Sequence, residues 1–329
     1  MKIVMITRLY SPHVGGVEKH TEKLTNLLLD KKISVTIITE KYKPALHKNQ
    51  KHKNFELIRI DYPKTKFIGI LVIWFKLLIN IRYFLEADLI HIHDVFIWYL
   101  PIRIILFFKP VYTTFHGWEG QYPLSKTTIF QKQIASKLST GTIAIGDYIG
   151  KYYKIIPTLV LYGGVKSDQS SKVSKLRNNI IFLGRLDSDT GLKNFLKFLD
   201  NYPLFLKRTI FIGEGKFKHI CQEYGEVIGT TNPEPFLKNA KIVVTSGYLS
   251  ILESFINKAK VYVYADNSLK EDYYSLSPFS KYLNYLNKNT TKKEFDIVSK
   301  KSIDGAYSLS KKYTWKSVLD SYLRLWNIS

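Results

Sequence analysis

The chain has one cysteine, Cys221, in 329 residues. No internal disulfide can form, and this usage fits a reducing compartment. Acidic residues are scarce beside basic ones, with 27 Asp and Glu against 49 Lys and Arg and a formal net charge of +22. The surplus is not a tail. Residues 1–165 hold 23 basic and 11 acidic side chains, and residues 166–329 hold 26 and 16. Such uniform basicity favours an anionic partner, a membrane surface or nucleic acid, although a lysine-rich proteome accounts for it equally well. No apolar run reaches the roughly 20 residues that a membrane-spanning helix needs. Residues 1–7 read as a strand, so no signal peptide is expected. There is no internal repeat and no low-complexity run.

What is present is ample core material, 45% apolar and 14% aromatic residues, in a length that suits two α/β domains. Strand-like runs at 2–7, 34–39, 55–60, 87–91, 111–115 and 141–145 alternate with helical patterns at 16–30 and 67–85. This is the rhythm of a parallel sheet. It restarts after the polar segment 166–178, with strands at 180–183, 209–212, 226–228, 242–244 and 261–264. The expected division is 1–165, 166–312 and a closing helix within 313–329. In that helix Trp315, Val318, Leu319, Tyr322 and Trp326 share one face.

Two glycine loops follow strands. In the second half, Gly184-Arg185-Leu186-Asp187-Ser188-Asp189-Thr190-Gly191-Leu192 leads from an apolar strand into a helix. Backbone N–H groups at a helix start and one guanidinium make an anion site. A surface ion pair of Arg185 with Asp187 or Asp189 is the plainer alternative. In the first half, Gly15-Gly16 lies between strand and helix, where a side chain would block a ligand; an ordinary tight turn is the alternative.

Two segments are unusually apolar. Residues 67–81 carry one charge, Lys76, and residues 95–108 carry only Arg103. Both read as helices covering a sheet. Yet Trp74, Phe75, Trp98, Tyr99, Phe107 and Phe108 exceed that need, and Lys64, Lys66, Arg82 and Lys109 surround them. Aromatic rings among cations suit the boundary of an anionic bilayer.

The order of motifs resembles the family-4 glycosyltransferases of the GT-B fold. Arg8-Leu9-Tyr10-Ser11-Pro12-His13-Val14-Gly15-Gly16-Val17-Glu18 is followed by His91-Ile92-His93-Asp94 and Thr114-Phe115-His116-Gly117. Then come Gly184-Arg185-Leu186, Ser246-Gly247-Tyr248-Leu249-Ser250-Ile251-Leu252-Glu253 and the Tyr313-Thr314-Trp315 helix. The resemblance implies two Rossmann-like, doubly wound domains facing a central cleft. It also implies a retaining, metal-independent transfer from a nucleotide-diphosphate sugar, and a last helix crossing back to the N-terminal domain. Family enzymes use protein cations rather than a metal or other cofactor, so none is expected.

By this resemblance Arg185 stabilises the leaving diphosphate, where charge develops in the transition state. Glu253 accepts the ribose hydroxyls, as an acceptor-only carboxylate can; it is read as lying near a helix start. His116 faces the transferred sugar. Gly15, Gly16, Gly184, Lys193, Gly247, Tyr248, Leu249 and Ser250 complete the donor side, and His13, Asp94 and Glu119 are weaker acceptor-side candidates. His91 and His93 are read as strand neighbours on opposite faces, structural or cleft-lining rather than metal ligands.

Two departures stand out. Many family members have Lys where this chain has Thr190, and a first Glu where it has Thr245. Lys193 is the expected substitute cation. The expected acceptor is a lipid-linked or surface glycan, at the cytoplasmic face of the cell membrane, with the protein peripheral on an anionic surface. The alternatives are a non-catalytic partner subunit that binds a glycan or nucleotide sugar, and a sugar transferase acting on nucleic acid, the latter disfavoured. An epimerase on the same fold has no positive signal.

Overall fold

The computed structural model describes residues 1–117, 120, 122–166 and 177–328. The chain forms two compact units, Met1–Leu161 with Val318–Ser329, and Tyr162–Ser317. The sequence had placed these divisions at 165/166 and 312/313.

The first unit holds an eight-stranded sheet. Its strands are β1 (Lys2–Thr7), β2 (Ser34–Glu40), β3 (Asn49–His52), β4 (Phe55–Ile60), β5 (Leu89–His93), β6 (Val111–Phe115), β7 (Gly141–Ile145) and β8 (Leu159–Leu161). They lie in the order β3-β4-β2-β1-β5-β6-β7-β8. All pairs are parallel except the β3–β4 hairpin at the edge. The order reverses between β1 and β5, so the loops after Thr7 and His93 flank a topological switch point, where doubly wound sheets bind ligands. The helix Gly16–Asp30 enters from the first of these loops and buries His20, Leu24 and Leu28 at helical spacing.

The second unit holds β9 (Asn179–Leu183), β10 (Thr209–Ile212), β11 (Glu226–Gly229), β12 (Ala240–Thr245), β13 (Lys260–Val263) and β14 (Leu283–Tyr285). These run in the order β11-β10-β9-β12-β13-β14, all parallel. The switch point lies between β9 and β12. The strand period explains why both faces are covered. Ile180 and Phe182 enter one core with Leu192, Phe195 and Leu199 of the Leu192–Asn201 helix. Ile181 and Leu183 enter another with Leu237, Val243 and Ala259.

The closing helix Trp315–Leu325 starts in the second unit and finishes in the first. Val318, Leu319, Tyr322 and Trp326 are buried there. The expected helix over 67–85 is two helices, Lys66–Ile79 and Ile81–Glu86. Asn80 separates them. Its backbone and side-chain N–H groups both donate to the Lys76 carbonyl, the local competition that makes Asn a helix terminator.

Candidate functional site

In the second unit the loop from Gly184 to Gly191 spans the end of β9 and the start of the Leu192–Asn201 helix. Gly184 has φ +147°, and a Cβ there would meet only open space, with Ser246 Oγ 4.0 Å away. Glycine is needed by the backbone angle, and the opening lets a ligand approach the main chain. Gly191 differs. It has φ +81°, and a Cβ would lie 2.6 Å from Tyr264.

Arg185 stands in this loop with its guanidinium shared by two carboxylates. Nη1 is 3.2 Å from Asp187 Oδ2 and Nη2 is 2.5 Å from Asp189 Oδ2. Asp187-Ser188-Asp189 is itself an Asp-x-Asp triplet, so the expectation of metal-free chemistry cannot rest on the absence of one. Its carboxylates face a cation of the protein. Among the described residues no three His, Cys, Asp or Glu side chains gather as a metal needs. Arg185 is 55% exposed, so these ion pairs are worth only about 0–1 kcal/mol each and can yield to an incoming anion.

The Thr190 hydroxyl donates to the carbonyls of Arg185 and Asp187, fastening the loop in place of a cation. Lys193 is exposed in the first helical turn, with Nζ 5.0 Å from the Phe217 ring centroid. A cation that sequence reading missed comes closer to the loop. Lys270, buried on the Ser268–Ser275 helix, places Nζ 2.6 Å from the Asp189 carbonyl and 3.2 Å from Asp266 Oδ1. Asp189 thus touches one cation through its side chain and another through its main chain.

The loop after β12 carries Ser246 and Gly247, and the helix Tyr248–Ile256 starts there. Two residues expected to bind donor are engaged in the framework. The buried Tyr248 ring stacks on Tyr273 at 3.9 Å, and its backbone N–H donates to the Tyr273 hydroxyl. The Ser250 hydroxyl lies 2.5 Å from that of Thr245, which donates to the Leu183 carbonyl. Thr245 and Ser250 therefore latch this helix to the ends of β9 and β12. Leu249 packs toward Gly163, whose added Cβ would lie 2.3 Å from Leu249 Cδ2. Glu253 is half-buried in the second turn, not near the helix start, so stabilisation by the N-terminal dipole does not account for it.

In the first unit Gly15 caps the Gly16–Asp30 helix in an extended conformation, and a Cβ on Gly16 would meet nothing within 4 Å. His13 Nδ1 lies 3.0 Å from Glu18 Oε1 across this turn. Asp94, expected on the acceptor side, is engaged as a strut. Its carboxylate accepts the His116 backbone N–H at 3.1 and 3.2 Å, and its Oδ1 lies 2.6 Å from the buried Lys132 ammonium. Gly117 follows with φ +85°, where a Cβ would collide with the Tyr148 hydroxyl at 1.8 Å. Glu119 lies outside the described residues.

Behind His116 stands a group of histidines that sequence reading did not assemble. His91 and His93 are on the same face of β5, not opposite faces, with ring centroids 4.9 Å apart. Alternate residues of a strand share a face. His93 Nδ1 is 3.0 Å from His116 Nε2, and the His20 ring stands edge-on to His116 at 5.1 Å. His20 Nε2 meets the Tyr322 hydroxyl at 2.9 Å. Burial pushes the His20 pKa down to about 4 and holds His91, His93 and His116 well below the usual range; the nearness of the other histidines, which cannot share the pocket as cations, adds to the effect for the last three, as does Lys132 for His116. All four are neutral at pH 7.

The apolar segments split between core and surface. Trp98 and Tyr99 are buried, and Trp74 donates its indole N–H to the Ile97 carbonyl. Trp98 is thus removed from the expected membrane-facing set. Phe67, Leu71, Phe75 and Ile79 form an exposed stripe at four-residue spacing on the Lys66–Ile79 helix. Ile104 and Ile105 at the end of the neighbouring Phe96–Ile105 helix, and Phe107 and Phe108 just beyond it, are also exposed. Lys76 donates to the Asp61 carbonyl, Arg103 to those of Leu138, Phe107 and Lys109, and Lys109 to those of Leu85 and Ala87. These partners are carbonyls, and among the described residues none of the three cations has an acidic partner. No helix among the described residues is long and apolar enough to cross a membrane.

Residues 14–166 match the family model described as Glycosyltransferase Family 4. No curated protein matches the chain in sequence. Among solved structures, the sucrose-phosphate synthase of Thermosynechococcus elongatus is similar at TM-score 0.71 and 13% identity, over 99% of this chain and 98% of that one. A glycosyltransferase from Rickettsia africae is similar at 0.66 and 14%, over 100% and 99%. WaaG, a glycosyltransferase involved in lipopolysaccharide biosynthesis, is similar at 0.57 and 12%, over 94% and 93%. At these identities the likeness is one of fold, and the fold is GT-B.

Proposed function

We propose that this GT-B chain, whose residues 14–166 match Glycosyltransferase Family 4, moves a sugar from a nucleotide-diphosphate sugar to a lipid-linked or surface-glycan acceptor. The observation that carries the reading is the open Gly184 main chain beside Arg185 at a switch point of the second sheet. A diphosphate exchanges its oxygens for the weakly held Asp187 and Asp189 carboxylates. The guanidinium then neutralises charge as the bond to the sugar breaks. Glu253 takes the ribose hydroxyls, and His116 meets the transferred sugar. The transfer needs no metal, because Arg185 gives the leaving group a cation of the protein, and it is retaining as the resemblance to the family-4 glycosyltransferases implies. The acceptor class rests on the exposed apolar stripe and the cations around it, which suit an anionic membrane face.

The test is transfer of label from a panel of nucleotide sugars into the organic phase of a membrane lipid extract, with and without excess chelator. Label moving to lipid in both conditions is the expected result. Binding of a nucleotide sugar with no transfer to any acceptor supports a second reading, a non-catalytic partner subunit. The framework use of Thr190 and Thr245, where many family members place a cation and a carboxylate, favours that alternative.

A further inference from the structure

We propose that His93 is a positioning residue that fixes His116 as a hydrogen-bond donor through Nδ1, directed at an oxygen of the transferred sugar. The sugar as partner rests on the function proposed above; the proton's location does not.

The argument is one of proton counting. His93 Nδ1 and His116 Nε2 are 3.0 Å apart, so one donates to the other. Burial keeps both rings neutral, and each carries a single ring proton. His93 Nε2 is buried and has no partner among the described residues. If His116 Nε2 carried the shared proton, the proton of His93 would sit on that partnerless Nε2. A buried N–H with no acceptor is the rarer defect in folded proteins, and it costs about 1–3 kcal/mol. If His93 Nδ1 donates, Nε2 is left as a bare lone pair, the milder defect. The second arrangement is therefore favoured. His116 Nε2 is then occupied as an acceptor, and its proton is on Nδ1.

The consequence is chemical. His116 so arranged offers an N–H to a hydroxyl oxygen or to developing negative charge, and it is not set up to remove a proton. Its position is held independently by the Asp94 carboxylate on its backbone N–H. Asp94 in turn is held by Lys132. Among the described residues, His93 is the hydrogen-bond partner of the His116 ring and so sets which of its nitrogens bears hydrogen.

The experiment is long-range proton–nitrogen NMR on the whole chain labelled with 15N-histidine, His116 being assigned by loss of its signals in His116→Gln. Protonated Nδ1 and bare Nε2 on His116 are expected at pH 7. Protonated Nε2 on His116 overturns the proposal whether or not the protein transfers sugar. Two variants supply a second measurement. His93→Leu should mix the tautomers of His116 and lower kcat about tenfold with little change in donor KM, the scale of one net hydrogen bond. His93→Asn, whose amide can donate in place of Nδ1, should restore the single tautomer and most of kcat. A leucine variant that keeps both the single tautomer and full kcat overturns the role of His93.

Discussion

Trp326 Nε1 lies 3.2 Å from His91 Nδ1, both buried. An indole N–H can only donate, so His91 accepts at Nδ1 and carries its own proton on Nε2. His91 Nε2 is 2.8 Å from the Thr114 hydroxyl, which is 2.9 Å from the Tyr322 hydroxyl, which is 2.9 Å from His20 Nε2. A run of hydrogen bonds thus ties the last helix to β5, β6 and the first helix. In a dry interior such a run is worth keeping intact, because each broken link leaves a buried polar atom unpaired.

Tyr322→Phe should therefore destabilise the first unit by about 1–3 kcal/mol, since it strands His20 Nε2 and the Thr114 hydroxyl together. Urea denaturation monitored by tryptophan fluorescence reads this out. A midpoint equal to that of the parent protein would show that the run contributes nothing.

Acid should weaken the same region. The His20 pKa is lowered from an ordinary 6.5 to about 4 by burial, so between these values the unfolded chain binds more protons. Stability from this group is complete above about pH 6.5 and is lost as pH falls toward 4. The loss approaches roughly 3 kcal/mol from His20 alone, and His91, His93 and His116 act in the same direction. Denaturant midpoints measured from pH 7.5 to 4.5 should fall steadily. His20→Gln, which has no ring to charge, should flatten part of that slope.

Asp189 competes with any anionic ligand for Arg185. Removing its charge should tighten binding of inorganic pyrophosphate severalfold, whereas Arg185→Ala should weaken it and cut turnover by about two orders of magnitude. Calorimetry on Asp189→Asn and Arg185→Ala separates the two effects. Equal pyrophosphate affinity in all three proteins would remove the loop from the donor site. Lys270→Met serves as a companion, because Lys270 holds the same turn by the Asp189 carbonyl.

Glu253→Gln should lower affinity for a nucleoside diphosphate about tenfold while leaving that for pyrophosphate unchanged. The ribose hydroxyls lose an ionised acceptor and the phosphates lose nothing. A parallel loss for both ligands would place Glu253 outside the ribose site.

Much of this architecture was legible because it is periodic. Strands such as 2–7, 55–60, 111–115 and 141–145 coincide with β1, β4, β6 and β7, since short apolar runs between turns have few other uses in a parallel sheet. The glycine loops were legible for the same reason, lying where those runs stop. Side-chain fate was harder to read. Tyr248 and Ser250 are donor candidates only through the resemblance of the Ser246–Glu253 motif, and the helix beginning at Tyr248 turns that ring into the core and that hydroxyl onto Thr245. Lys132 and Lys270 carried no local signal, because their partners Asp94 and Asp189 lie 38 and 81 positions away. The histidine group was half legible. The spacing of His91 and His93 puts them on one face by strand geometry alone, but His20 and Tyr322 join them only through the tertiary fold.

The membrane reading makes a prediction in two separable parts. The stripe Phe67, Leu71, Phe75 and Ile79, with Phe107 and Phe108, is exposed, Phe75 at 64% and Phe107 at 74%. Burying such rings in a bilayer boundary contributes free energy that salt does not screen. Lys76, Arg103 and Lys109 add attraction on the order of 1 kcal/mol each to an anionic surface, decaying over roughly 8 Å at physiological salt. Co-sedimentation with vesicles rich in anionic lipid should therefore weaken with salt without vanishing, and neutral vesicles should bind poorly. Replacing Phe75, Phe107 and Phe108 by Ser should abolish the salt-resistant part and leave the melting temperature close to that of the parent, because these side chains are not core. Replacing Lys76 by Gln should reduce only the salt-sensitive part. If the parent protein ignores anionic vesicles even at low salt, the stripe has another partner and the lipid-linked acceptor loses its main support. A soluble glycan acceptor would then be the better reading of the same donor site.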